Sequence, residues 1–207
     1  MATGTRKAQR ERTRENLLDA AMMCLVEYGY AGTTTQRVQE RVGGVSRGAL
    51  LHHFGSKAEL FVAAIHHIAD KRLESIRDLA VEVDDQPDAL RRVIQAIAHS
   101  QTGPPFQAAM ELWTAARTDP ELLEALRPAE RKLGRAMRDI FYKAADFDDP
   151  ETARITFESL VAMMRGLEMT RIMRRDETLA DEVIDLWIEK MITPRPVLTG
   201  SRCVLIG

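Results

Sequence analysis

Apolar residues recur along this chain at three- and four-residue intervals almost from end to end. Leu17, Leu18, Ala21, Leu25 and Tyr28 follow that period and predict a first amphipathic helix, with Gly29 where a helix-ending glycine belongs. Thr33 with Gln36 three residues on forms a capping-box pattern that opens a second helix running to about Val42. Gly43-Gly44 breaks it, Ser46 caps a third helix through about Phe54, and Gly55 stops that one. Ser56 with Glu59 opens a long helix with Leu60, Phe61, Ala64, Ile65, Ile68, Leu73, Ile76 and Leu79 at its apolar positions. After a loop at Asp84-Asp85-Gln86-Pro87, helices are predicted over residues 88–101, 105–118, 120–145, 151–175 and 179–192. Gly103-Pro104-Pro105, Asp119-Pro120 and Asp148-Asp149-Pro150 part them. Pro128 falls inside one of these helices and predicts a kink or a split there. The closing stretch PRPVLTGSRCVLIG has no helical period and reads as a tail or a short docked strand. With no alternating pattern elsewhere and no internal repeat, the expected class is all-α with about nine helices.

Charge singles out the first of these helices. Residues 1–57 hold nine Lys/Arg and five acids, a net of +4, whereas the whole 207-residue chain stands at -2, leaving -6 for the rest. A basic head on an acidic body suits a head that meets a polyanion. Within the segment 33–57, TTTQRVQERVGGVSRGALLHHFGSK, two short helices are joined by a glycine turn. Val38, Val42, Val45, Leu50 and Phe54 point inward, to pack on Leu18, Leu25 and Tyr28 of the first helix. Arg47, Gly48, Leu51 and His52 point outward, a small face of the kind a DNA major groove accepts. Arg47 can donate to a guanine edge or a phosphate, and Gly48 lets backbone come close. Thr33, Thr34 and Ser46 stand at helix starts where free amides hold phosphate, and Lys57 follows the reading helix as a point charge for the DNA backbone. His53 is a packing residue or a phosphate donor. The same two helices, taken alone, are also compatible with a helical hairpin that binds no DNA.

The run EYGYAGTTTQRVQERVGGVSRGALLHHFGSKAELF resembles the N-terminal domain of the TetR-type transcriptional regulators. Gly29-Tyr30, Thr33-Thr34, Val38, Gly44-Val45-Ser46, Gly48, His53-Phe54, Ser56-Lys57 and Leu60 match that family's pattern over about fifty residues. The chain departs from it in three places. Leu51 stands where the family has an aromatic residue, usually tyrosine, whose hydroxyl reaches a phosphate. Gln39 replaces a small residue, and the turn Val42-Gly43-Gly44-Val45 is one residue longer. The resemblance implies a helix-turn-helix DNA-binding domain over residues 1–56, an effector-binding and dimerisation domain over 57–193, and a tail over 194–207. It further implies a homodimer paired through the last two helices, a near-palindromic operator, and release by a small apolar or amphipathic effector. A ligand-independent regulator, an activator, and an interaction module that leaves DNA alone are the alternative readings.

For the effector, the resemblance points to the middle helices, which carry Phe106, Met110, Trp113, Met163 and Leu167 as wall residues and Arg117 as an anchor for an acidic group. Methionine-rich walls adapt to varied ligands, though the same residues serve equally as ordinary core. Leu160, Met164 and Leu167 form one stripe and Val183, Leu186, Trp187 and Met191 another, which suits helix pairing between two copies. His52-His53 and His66-His67 are neighbours about 100° apart on a helix and cannot clasp one metal ion as an i, i+4 pair could. The spacings suit neither nucleophilic catalysis nor a nucleotide cradle, so the expectation is a non-enzyme without cofactor or metal. Two cysteines, the lack of an apolar run of membrane length, and an N-terminus unlike a signal peptide place the expected compartment in the cytoplasm.

Overall fold

The computed structural model of the chain describes residues 2–43, 45–81, 88–145, 147, 149–173 and 178–192. The expected loop at residues 84–87, Gly44, residues 174–175 of the predicted eighth helix and the tail at 194–207 lie outside the described residues, as do the side chains of Leu79 and Met191. Among the described residues the chain is all-α: α1 (Ala2–Gly32), α2 (Thr35–Val42), α3 (Arg47–Phe54), α4 (Lys57–Val81), α5 (Ala89–Ser100), α6 (Gly103–Ala116), α7 (Pro120–Ala144), α8 (Pro150–Thr170) and α9 (Leu179–Ile192), with a 3-10 turn at Arg171–Met173. Two compact units divide it, Met1–Asp148 with α1 to α7 and Asp149–Gly207 with α8 and α9.

Two apolar clusters organise the first unit. In the first, Leu17, Leu18, Ala20, Ala21 and Cys24 of α1 pack with Val38 of α2, Leu50 and Phe54 of α3, and Leu60 and Ala64 of α4. In the second, Met22 and Leu25 of α1 and Phe61, Ile65, Ile68 and Ala69 of α4 meet Leu112 of α6 and Leu122 and Leu126 of α7. Helices α1 and α4 therefore serve both clusters, each turning one face to α2 and α3 and another to α6 and α7. Burying an aliphatic or aromatic side chain contributes roughly 1.5–3 kcal/mol, so both faces are held firmly. This layout corrects part of the expected head core. Leu25 belongs to the second cluster, and Tyr28 is 45% exposed with the Arg37 guanidinium stacked 4.2 Å from its ring centroid.

Local chemistry sets the helix ends. Gly29 has φ 65° and ψ 178°, so α1 breaks there and resumes for one further turn. Thr33 then folds back: its amide and hydroxyl both donate to the Gly29 carbonyl, at 3.1 and 2.7 Å. The cap of α2 is consequently Thr34, one residue later than the capping-box pattern suggests, and its hydroxyl accepts from the Arg37 amide at 3.2 Å. Ser46 caps α3 and Ser56 caps α4 as expected, accepting from the Ala49 and Glu59 amides. Asp119 and Asp149 cap α7 and α8, each followed by a proline in the first turn, where the missing amide costs nothing. Helix α6 begins at Gly103, two residues earlier than expected, because Pro104 and Pro105 fit that first turn rather than preceding it.

Pro128 does not split α7, which runs from Pro120 to Ala144. Leu122, Leu126, Ala129, Leu133, Met137 and Phe141 form a continuous buried stripe on either side of it. Burial of that stripe outweighs one lost backbone hydrogen bond. Because Pro128 itself is exposed, Pro128→Ala restores an amide without opening a cavity, and should raise stability by about 1–3 kcal/mol in denaturant unfolding. A loss of stability would mean that the proline ring is an integral part of the packing.

Candidate nucleic-acid interface and effector site

The α2–α3 pair presents a compact polar face built by its caps. Thr34 and Ser46 are exposed at the starts of α2 and α3, where their hydroxyls hold one amide each and leave neighbouring amides free to meet an anion. Along α3, Leu50 and Phe54 are buried while Arg47, Gly48, Leu51 and His52 are exposed, giving the outward face expected from the sequence. Among the described residues Arg47 has no hydrogen-bond or ion-pair partner, whereas Arg37 donates to the Gly32 carbonyl and Arg41 pairs with Glu27. Lys57 is exposed at the start of α4 with its ammonium 5.3 Å above the Phe61 ring centroid. Thr33 differs from its neighbours on this face: it is buried, and its hydroxyl already serves Gly29. Of the two threonines, Thr34 is the one with an exposed side chain.

The turn between α2 and α3 has its own brace. Gly43, at φ 68°, closes α2 by donating its amide to the Gln39 carbonyl. The Gln39 side chain then reaches across to the Val45 carbonyl, with Nε2 at 3.5 Å. Two of the sequence departures are thereby joined, the long side chain at position 39 spanning the lengthened turn. Val42 and Val45 remain partly buried against the first cluster.

His53 is half-buried, and burial pushes its pKa below the ordinary value, assisted by the positive charges of Arg10, His52 and Arg14. It is therefore chiefly neutral near pH 7. The ring centroids of His52 and His53 lie 6.0 Å apart and edge-on. His67 hydrogen-bonds Asp19 at 2.7 Å. Among the described residues, no group of three or more His, Cys, Asp or Glu is arranged to hold a metal ion, and no helix is long and apolar enough to cross a membrane.

The expected effector residues separate into two sets. On α6, Phe106 is fully buried and meets Trp113 edge-on at 5.5 Å, and Met110 is half-buried one turn from each. Arg117, the expected anchor, is exposed just beyond the end of α6. Met163 and Leu167 are half-buried on α8, in the second unit. The guanidinium beside the aromatic pair belongs instead to Arg72 of α4. It is 1% exposed, lies 5.1 Å from the Phe106 centroid and 5.3 Å from that of Trp113, and donates to Gln101 at 3.2 Å and Glu130 at 3.3 Å. Its signal was present in the sequence: position 72 falls four residues from both Ile68 and Ile76 on the buried stripe of α4, where a cation requires compensation. An open cleft of about 780 Å³ lies between the end of α1 and the α6–α7 corner, lined by Tyr28, Tyr30, Glu111 and Asp119 among others. None of the expected effector residues lines it.

Residues 17–64 match the family model for bacterial regulatory proteins of the tetR family, and residues 81–193 match the model for a tetracyclin repressor-like C-terminal domain. An uncharacterized HTH-type transcriptional regulator of Mycobacterium tuberculosis is 29% identical over 164 residues, covering 79% of this chain and 82% of that protein. The HTH-type transcriptional repressor AcnR of Corynebacterium efficiens is 37% identical over 78 residues, covering 38% of this chain and 39% of that protein. Among solved structures, the multidrug binding protein EbrR complexed with imidazole superposes with a TM-score of 0.61 at 22% identity, covering 90% of this chain and 98% of that one.

Two outcomes test the interface residues. Leu51 is 41% exposed on the outward face, so Leu51→Tyr should supply one hydrogen bond to DNA and tighten binding by about 0.5–1.5 kcal/mol in a retardation titration. Unchanged affinity would place this position away from the DNA backbone. For His53, depression of the folded pKa means that protonation destabilises the free head as pH falls below about 6.5, while nearby phosphates favour the protonated form. DNA binding then takes up a proton, and affinity should rise between about pH 8 and 6. His53→Gln should flatten that rise, and an unaltered pH profile would remove His53 from the contact.

Proposed function

Because the chain belongs to the tetR family of bacterial regulatory proteins, we propose that it is a homodimeric repressor released from a near-palindromic operator by a small amphipathic effector. Members of this family and the relatives above are transcriptional regulators rather than enzymes. The observation that carries the reading is the α2–α3 pair. Two capped helices are fixed by a shared core to α1 and α4, with Arg47, Gly48, Leu51 and His52 on the open side. In the proposed complex α3 lies in the major groove. Arg47 reads a base or holds a phosphate, while Thr34, Ser46, His53 and Lys57 hold the DNA backbone.

Residues 1–56 form the DNA-binding part of this proposal and residues 57–193 the effector and dimerisation part, working in the cytoplasm where the operator lies. The exposed apolar residues Ile155, Met169, Leu179 and Leu186 on α8 and α9 support pairing between two copies. For the effector, the aromatic pair Phe106 and Trp113 with Arg72 supports an amphipathic molecule whose acidic group competes with Glu130 for the guanidinium. Ligand binding to EbrR and the repressor role of AcnR are properties of those proteins that agree with this reading. An effector acts only by binding the DNA-competent and released states with different affinity.

Selection of bound fragments from random DNA tests the proposal. Recovered sites should hold two inverted half-sites about one helical turn apart, and Arg47→Ala should relax the preference at a base pair in each half. Recovery of single, unpaired sites would overturn the dimeric arrangement. Failure to retain any fragment at low salt would overturn DNA binding itself.

A further inference from the structure

Helix α1 begins at Ala2, yet among the described side chains the first fully buried one is Leu17. The described side chains from Lys7 to Asn16 are exposed apart from half-buried Thr13. A polar helical extension of this kind has little packing of its own to hold it, and such segments are marginal alone in water. Arg10 and Arg14 stand on one line of this extension. They continue the line of Leu17, Ala21 and Cys24, at i, i+4, i+7, i+11 and i+14, and those three belong to the cluster that α1 shares with α2, α3 and α4. Lys7 stands one turn before Arg10 on the same side, 4.0 Å from Glu11. Glu11, Glu15 and Asp19 follow one another every four residues along the adjoining line, where Glu11 pairs with Lys7.

The basic line runs to the end of the reading helix. The Arg14 guanidinium lies 5.2 Å over the ring of Phe54, the last residue of α3. Arg10 and Arg14 are near enough to His53 to act on its proton. From Lys7 to Arg14 the helix advances about 10 Å, enough to pass two or three phosphates of one strand at roughly 3.4 Å each along the duplex axis.

We propose that the Lys7–Arg10–Arg14 stripe of α1 is a second DNA-contact surface, holding the phosphate backbone that flanks the groove occupied by α3. It rests on the reading that α3 enters DNA, and it adds affinity without adding sequence preference. Charge complementarity and continuity with α3 commit it to the duplex backbone as partner. These contacts release counterions, so each steepens the salt dependence of binding by about 0.9 in the log–log slope.

The test compares the full-length chain with its Lys7→Ala/Arg10→Ala variant, since neither side chain is in the core and Arg14, which packs on Phe54, is left in place. Binding is titrated from 50 to 200 mM salt on a selected operator and on random duplex. The variant should bind both more weakly at low salt, with a slope shallower by about 1.8 for each bound head. Its deficit should therefore shrink by about 12-fold across that range. Equal slopes overturn the proposal, and so does a deficit confined to the operator. A wild-type chain that binds no duplex overturns the parent reading instead, a result that is recognisable before any variant is compared.

Discussion

The double burial of α1 and α4 is the constraint on which the rest of the first unit depends. Neither helix can turn about its axis without exposing one cluster or the other. Leu17, Leu18 and Ala21 tie α1 into the cluster with α2 and α3, while Met22 and Leu25 on the same helix tie it into the cluster with α6 and α7. In α4, Leu60 and Ala64 face one way and Phe61, Ile65 and Ile68 the other. The edge-on contact of Tyr30 with Phe61, at 5.5 Å, adds a further tie just past the break at Gly29. The short helices α2 and α3, each eight residues long, have too few turns to be stable alone, and hold their orientation through these two long ones.

Much of this was legible in the sequence. The helical period, the glycine stops and the Ser46 and Ser56 caps placed the end of α1, both ends of α2 and α3 and the start of α4 within a few residues, because each is a local signal, while the polar start of α1 at Ala2 carries no apolar period to mark it. The errors came where tertiary packing overrides local preference. Pro128 reads as a breaker in isolation, but the buried stripe around it holds α7 together. Thr33 and Thr34 look equivalent on paper. Only the backbone break at Gly29 decides that the first turns inward and the second caps α2.

The surroundings of the expected effector residues were less legible for a related reason. Periodicity marks Phe106 and Trp113 as a pair on one face, but it cannot say which distant cation approaches them. Arg117 is close in sequence and ends up in solvent, while Arg72 comes from another helix and is buried against both rings. A cation in a buried stripe is a warning that a partner exists elsewhere in the chain. Here Glu130 and Gln101 are that partnership, and the energetic penalty for burying the guanidinium makes their removal costly.

The two-faced α1 also bears on how such heads can be exchanged between regulators. A segment cut at residue 56 and grafted onto another body would arrive with Met22 and Leu25 facing a surface shaped for different side chains. Swapping only the α3 outward residues leaves that seam intact. Under the proposed docking of α3, a new operator calls for rewriting its few exposed positions in place, whereas transplanting the head as a cassette requires carrying the matching faces of α4 and α6 along with it.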